Sequence, residues 1–138
     1  MIFAAGGATI FLANRGTIRY SGHEDQTPSS GRMHAEDSLD LCYVKDTGRA
    51  IALLQLADHL NHRTYNVASG HATTNAEVAA AIRHVVADAQ VDLPSGGETR
   101  QAWLDITRLG QDTGYSPEWD TERAAADYIG WLRASNER

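Results

Sequence analysis

The sequence predicts an α/β fold built from short strands and about four helices. Two runs, Leu41–Val44 and Thr64–Val67, have the residue types of short β-strands. Each is followed by a stretch in which apolar residues recur at helical spacing, and turn-forming residues separate the successive elements. Alternation of strands with helices is typical of α/β proteins.

Composition narrows the class of protein further. The 138 residues suffice for one domain with a loose arm, and the net charge of −6 disfavours a nucleic-acid-binding face. No apolar run approaches the roughly 20 residues of a membrane span, and the opening residues lack the basic lead of a secretory signal. A single cysteine, Cys42, excludes a disulfide framework and a cysteine-rich zinc module. We therefore expect a soluble cytoplasmic protein without nucleic-acid or membrane partners.

The first 38 residues differ in character from the rest. Between Tyr20 and Ser38 the chain is rich in turn formers and charges without periodicity, which predicts an irregular arm over residues 1–38. Within it, we expect Ile10–Ala13 to end a helix and Thr17–Tyr20 to form a short strand.

The first helix is expected to run from Asp46 to about residue 60. Asp46 follows the first strand run, where an aspartate commonly caps a helix. Its position after Lys45 would also suit a catalytic acid, but we favour the cap. The apolar positions expected to face inward are Ala50, Leu53, Leu54, Ala57 and Leu60.

The later helices begin at recognisable caps. Thr74 and Glu77 have the spacing of a capping box, and we expect a further strand at Val91–Leu93 after that helix. Asp105 is the predicted cap of a short helix over residues 106–111, and Asp120 that of a final helix. The second helix should bury Val78, Ile82, Val85, Val86 and Ala89, and the last Ala125, Tyr128, Ile129 and Leu132.

Several of these segments together carry a family resemblance. In order along the chain they are Tyr43-Val44-Lys45-Asp46, Thr64-Tyr65-Asn66-Val67-Ala68-Ser69-Gly70, Thr74-Asn75-Ala76-Glu77-Val78, Leu104-Asp105-Ile106-Thr107-Arg108 and Gly114-Tyr115-Ser116-Pro117. This ordered set resembles the C-terminal part of an extended short-chain dehydrogenase/reductase, in the NAD-dependent epimerase/dehydratase family. The resemblance implies an incomplete Rossmann-type fold, with a substrate domain over residues 39–138.

Two motifs of that family have no good match in this sequence. The dinucleotide turn Gly-x-x-Gly-x-x-Gly is matched only by the paired glycines of Ala5–Ala8. The catalytic Tyr-x-x-x-Lys is also missing, because Lys45 is the only lysine and no tyrosine lies four residues before it. We therefore assign no catalytic and no cofactor-binding residue, and NAD or NADP is expected only for the full-length family. Whether the protein is an enzyme stays open, since this chain alone lacks those residues.

The resemblance implies weak substrate-binding candidates. One phosphate-contacting arginine of the family is replaced by Leu39, and Arg100 is the nearest candidate for the second. Asn66 is a candidate for contact with a ligand edge, although such an asparagine more often fixes a loop through backbone hydrogen bonds. Trp119, which follows Pro117 in a turn, is the tryptophan to test for ligand contact.

Other chemical signals have simpler interpretations. His59 and His62 lie three residues apart, but no third ligand at a zinc spacing accompanies them, so we predict no metal site. Cys42 in an apolar strand is interpreted as a buried small side chain rather than a nucleophile. Gly96-Gly97 would suit a phosphate cradle, and a plain loop is the favoured alternative.

Two functions remain open from the sequence. The first is the substrate-binding portion of an NAD(P)-dependent epimerase or dehydratase acting on a sugar-type or other polar carbonyl substrate. Its partner would be a chain that supplies the N-terminal Rossmann domain, or a second copy in a homodimer. The alternative is a non-catalytic binding or interaction module derived from this fold. The strand Thr64–Val67 should lie at a sheet edge and favour self-association, unless the arm folds back over it.

Overall fold

The computed structural model describes residues 34–97 and 103–134, together with the backbone of three earlier strands. The strands are β1 Ala4–Ala5, β2 Ala8–Ala13, β3 Thr17–Tyr20, β4 Ser38–Leu39, β5 Leu41–Cys42, β6 Thr64–Val67 and β7 Thr73–Thr74. The helices are α1 Val44–Leu56, α2 Asn75–Val85, α3 Thr107–Thr113 and α4 Thr121–Arg133. The described part of the chain is thus a mixed α/β protein with four helices. None of these helices is long and apolar enough to cross a bilayer.

The strands of the described residues form three small antiparallel sheets. In the largest, β2 lies between β3 and β6. The register of β2 with β6 places Ile10 opposite Tyr65 and Ala8 opposite Val67. The other two sheets pair β1 with β5 and β4 with β7. One edge of the Thr64–Val67 strand is therefore covered by the chain's own N-terminal hairpin.

This hairpin corrects two expectations. Residues Ile10–Ala13 belong to β2 and do not end a helix, whereas the strand expected at Thr17–Tyr20 is present. The prediction that residues 1–38 form an irregular arm is therefore wrong for those residues that lie in strands. The physical reason is that both edges of β2 find partner strands. Only three residues separate β2 from β3, which suits a hairpin, and β6 pairs with the other edge of β2.

Helix α1 provides one wall of the hydrophobic core. Its buried Ala50 and Leu54 pack with Tyr65 and Val67 of β6, and the remaining core members are Cys42, Leu109 and Tyr115. The helix ends at Leu56, four residues before the end predicted from the apolar stripe. Beyond it, Asn61 donates two hydrogen bonds to Asp112 of α3, at 2.9 Å from the backbone nitrogen and 2.7 Å from the side chain. The chain after α1 is thus held against α3 in a non-helical path.

Helices α2 and α4 pack against each other, and the buried residues of both are alanines. The fully buried positions are Ala79 and Ala81 on α2 and Ala124 and Ala125 on α4. The strand expected at Val91–Leu93 does not form. Its region is instead tied to other segments, because Arg83 donates to the Val91 carbonyl at 2.7 Å and Ala35 donates to the Pro94 carbonyl at 3.0 Å.

Candidate functional site

A buried carboxylate, Asp40, joins three separate segments of the chain. Asp40 is 4% exposed and follows β4. Its oxygens accept hydrogen bonds from the backbone and hydroxyl of Ser69 at 2.8 and 2.6 Å, from Gly70 N at 3.3 Å and from Leu104 N at 3.0 Å. We call Asp40, Ser69, Gly70 and Leu104 the Asp40 junction. A buried carboxylate is tolerable only with such a set of donors, so the junction fixes the end of β6 against the segment before α3.

Asn66 and Asp105 lie beside this junction. The Asn66 side-chain amide donates to the Asp105 carbonyl at 2.9 Å, and Asn66 itself is half-buried. Gly70 has a φ of +76°, and a Cβ there would lie 3.2 Å from Ile106 Cδ1. A glycine at position 70 therefore permits the chain after β6 to lie close to the segment 103–106. Asn66 fixes a neighbouring loop through a hydrogen bond to its backbone, as the alternative interpretation of this residue predicts.

Asp105 does not cap α3 in the expected position. The residue at the N-cap is Ile106, whose side chain makes no capping bond. Asp105 Oδ1 instead accepts from Thr107 N at 2.8 Å, and hydrogen bonds from the Thr107 side chain and backbone lower the pKa of the Asp105 carboxyl. The helix cap thus lies one residue later than predicted, and Asp105, just outside the helix, accepts from an amide of its first turn.

Asp46 is not the N-cap of α1. Tyr43 occupies that position and Asp46 lies within the first turn, 1% exposed. Its oxygens accept from Glu118 N at 3.1 Å and from Trp119 N at 3.0 Å. The carboxylate thus satisfies amides of a distant loop instead of those of its own helix. Neither a cap nor a catalytic acid describes this contact.

Trp119 is held by groups of its own chain. Its ring centroid lies 5.0 Å from that of Tyr43, 4.8 Å from Lys45 Nζ and 4.1 Å from Arg123 Cζ. Asp127 completes the group, because its two oxygens accept from the Tyr43 hydroxyl and from Lys45 Nζ, each at 2.6 Å. We call these five residues the Trp119 cluster. Trp119 is half-buried, and the contacts observed for its ring favour packing.

The same cluster argues against proton transfer by Tyr43. Burial and the bonded Asp127 carboxylate raise the pKa of Tyr43 well above its ordinary value. A tyrosine activated by a neighbouring lysine needs the opposite shift. Lys45 is paired with Asp127 instead, so this pair of residues does not reproduce a catalytic tyrosine and lysine.

The two other predicted caps are present. Thr74 is the N-cap of α2 and makes both halves of a capping box with Glu77, which lowers the pKa of the Glu77 carboxyl. Asp120 is the N-cap of α4 and accepts from Arg123 N at 2.8 Å. Arg100 lies outside the described residues.

The paired glycines Gly96 and Gly97 do not fit a phosphate or dinucleotide cradle. A Cβ at Gly97 would lie 2.7 Å from Asp37 Oδ1 and 2.8 Å from His34 Cβ. The space that a glycine frees for a pyrophosphate is therefore filled by the chain itself, and the nearby Asp37 carboxylate would repel an anion. The described residues do not fit NAD at this loop, which has the plain structural role favoured by the sequence.

The remaining signals concern metal and thiol chemistry. Among residues 34–97 and 103–134, no three His, Cys, Asp or Glu side chains come together as a metal site. His59 and His62 both lie beyond the end of α1. Burial raises the pKa of the Cys42 thiol, which disfavours the reactive thiolate. Its sulfur lies 3.4 Å from Thr47 Oγ1 and 3.9 Å from the buried Tyr115 hydroxyl.

Sequence reasoning missed the Asp40 junction. The available signal was an acidic residue between Leu39 and Leu41 in an otherwise apolar stretch, where a carboxylate must find donors if it is buried. The two segments that supply those donors lie 29 and 64 residues away, so the partners could not be named from local pattern.

Comparisons of the chain with protein-family models, with curated proteins and with solved structures find no match. The family assignment accordingly remains a proposal that rests on the sequence motifs.

Proposed function

We propose that this chain is the substrate-binding portion of an extended short-chain dehydrogenase/reductase, an NAD(P)-dependent epimerase or dehydratase of a sugar-type or other polar carbonyl substrate. In this role it acts in the cytoplasm and is not catalytic alone. The observation that carries the proposal is the Asp40 junction. At one buried carboxylate, three residues before the Tyr43–Asp46 motif, it brings together residues of two other matched motifs, Thr64–Gly70 and Leu104–Arg108.

The surface next to the junction offers suitable groups for a polar substrate. Asn66 donates to the carbonyl of Asp105, and Trp103 immediately precedes Leu104, whose amide is bonded to Asp40. Trp103 is 49% exposed and Asp105 is also exposed. An aromatic face with a few polar groups around it is a common composition of small-molecule sites. These groups would bind and orient a substrate, and they supply no hydride acceptor.

The chemistry that the family needs must come from a partner. NAD or NADP supplies hydride transfer when bound, and the filled surroundings of Gly97 do not suit its pyrophosphate at that loop. We therefore propose that a chain with a Gly-x-x-Gly-x-x-Gly turn and a Tyr-x-x-x-Lys pair completes the site.

The coding sequence upstream of Met1 provides the test. We expect an in-frame or neighbouring segment that encodes both motifs. A neighbouring segment should yield a protein that co-purifies with this chain, and an in-frame segment should yield one longer chain that carries both motifs. Absence of such a segment would contradict the proposal. If the chain alone then bound a small ligand, the non-catalytic binding module would replace it.

A further inference from the structure

The loop of residues 116–119, which joins α3 to α4, is attached to the rest of the protein by charged side chains. The buried Asp46 carboxylate of α1 accepts from the amides of Glu118 and Trp119. Arg49, also on α1, donates to the carbonyl of the first loop residue. Among the residues that the structure describes, the loop backbone makes no hydrogen bond to another backbone group. This loop is therefore held by charged groups and not by a helix or strand ladder.

The helices on the two sides of the loop are closed by bonds of their own. Gly114, with a φ of +71°, ends α3 and donates to the Gly110 carbonyl at 2.8 Å. Asp120 caps α4 by accepting from Arg123 N at 2.8 Å. The Arg123 side chain reaches back to the Glu118 carbonyl, also at 2.8 Å, and joins the loop to α4. The loop can therefore move away from α1 while both helices keep their capping bonds.

Arg49 is incompletely satisfied while the loop is closed. Its side chain is 30% exposed, yet its Nε is buried and has no hydrogen-bond partner within residues 34–97 and 103–134. A buried donor without an acceptor costs free energy, and water satisfies this donor when the loop lifts. Arg49 Nη1 also lies 3.2 Å from Glu118 Oε1, and the Glu118 side chain is 54% exposed, so salt weakens this ion pair. Both features favour opening of the loop without unfolding of the core.

We propose that Asp46 and Arg49 form a salt-sensitive latch, which holds the loop closed and allows it to open locally in the folded protein. We call these two residues the Arg49 latch. Asp46, which is 1% exposed, provides the part of the attachment that salt does not reach. Arg49 provides the part that salt weakens. In the closed loop the ring centroids of Trp119 and Tyr43 lie 5.0 Å apart, so opening exposes this aromatic pair. The inference does not depend on the proposed reaction.

Amide hydrogen exchange at roughly 0.05 M and 0.5 M NaCl tests the latch, with Arg49→Gln as the opening variant and Arg63→Gln, at an exposed position, as the control. In the wild type and the control, the amides of Glu118 and Trp119 should exchange up to about fivefold faster at the higher salt, the limit set by an exposed ion pair. In Arg49→Gln these amides should exchange roughly tenfold faster than in the wild type, because a charged hydrogen bond to the loop is lost, and should not respond to salt.

Glu118→Gln separates the latch from the stability of the whole fold. This substitution removes the exposed carboxylate and keeps both backbone bonds to Asp46, so the protein should stay folded by far-UV circular dichroism while the salt response disappears. Amides of α2 and α3 should be unaffected by salt in every variant. The proposal would be overturned by wild-type loop amides that ignore salt, by a salt response that persists in Glu118→Gln, or by equal acceleration of the loop and of α2.

Discussion

Replacement of Asp40 by alanine should destabilise the protein strongly. The substitution removes the acceptor of four hydrogen bonds. The Ser69 hydroxyl can still donate to the His71 carbonyl at 3.1 Å, and the Gly70 amide makes the longest of the four bonds, at 3.3 Å. Two backbone amides, those of Ser69 and Leu104, lose their only acceptor at this junction, which costs about 1–3 kcal/mol for each.

The net loss of stability in Asp40→Ala is smaller than the summed cost of the two unpaired amides, because removal of the carboxylate also removes the cost of burying its charge. We expect Asp40→Ala to lower the free energy of unfolding by about 2–4 kcal/mol, a large share of the total for a domain of this size. Urea denaturation followed by far-UV circular dichroism measures the change. Asp92→Ala, at an exposed position, is the matched control and should shift the free energy by less than about 0.5 kcal/mol.

Amide hydrogen exchange provides a second readout at the junction itself. In the Asp40→Ala variant the amides of Ser69 and Leu104 should exchange faster than in the wild type, relative to amides of α2 and α4. If Asp40→Ala is as stable as Asp92→Ala and these two amides keep their protection, the reasoning from buried hydrogen bonds is wrong.

Three further predictions concern single contacts. Asp46→Ala should lower the free energy of unfolding, measured in urea, by about 2–4 kcal/mol, because it leaves two loop amides unpaired. Loss of a helix cap typically costs about 0.5–2 kcal/mol, and a loss within that range would contradict this prediction. Hydrogen bonds from Tyr65 and Asn61 lower the pKa of Asp112 to about 2, so its stabilising effect should be complete above the unfolded-state pKa of about 3.9 and be lost as the pH falls through about 2. Melting curves from pH 5 to 2 should therefore converge for wild type and Asp112→Asn at the acid end, and a gap independent of pH would refute the assignment. Gly97→Ala should lower the free energy of unfolding by about 1–3 kcal/mol, because Gly97 has a positive φ and its surroundings are filled. Gly48→Ala should raise it by about 0.5–1 kcal/mol, because Gly48 lies within α1 and has open space around it. Similar effects of the two substitutions would be inconsistent with these environments.

Local signals in the sequence were sufficient for part of the fold. The strand Thr64–Val67 and the caps at Thr74 and Asp120 are present because their determinants lie within a few residues of one another. A capping box needs only a threonine and a glutamate three residues apart, and strand propensity is likewise a property of a short run.

Long-range contacts could not be predicted in the same way. The first hairpin is defined partly by its pairing with β6, more than 50 residues later, as in the register of Ile10 with Tyr65. Asp46 has the pattern of a helix cap, but its hydrogen bonds go to amides 72 and 73 residues away. In both cases tertiary pairing overrides a local preference, which a single sequence does not reveal.

The candidate site shows the same division. Asn66 and Asp105 were singled out from motif resemblance, and the structure places them in contact. The role of Asp40 could not be predicted, because a buried carboxylate has no local signature apart from its apolar neighbours. The place of Trp119 after a proline turn makes it the tryptophan to test for ligand contact, and in the structure its ring contacts Tyr43, Lys45 and Arg123.

We propose that this chain depends on a partner for its cofactor, and a thermal-shift titration with NAD measures that dependence. The chain alone should show no change in melting temperature up to about 1 mM NAD. The chain purified together with the protein encoded by the upstream segment should show a saturable rise, worth about 2.7 kcal/mol at a hundredfold excess over Kd. Saturable stabilisation of the isolated chain by micromolar NAD would contradict the claim, as would a complex that carries both motifs and yet does not respond to NAD.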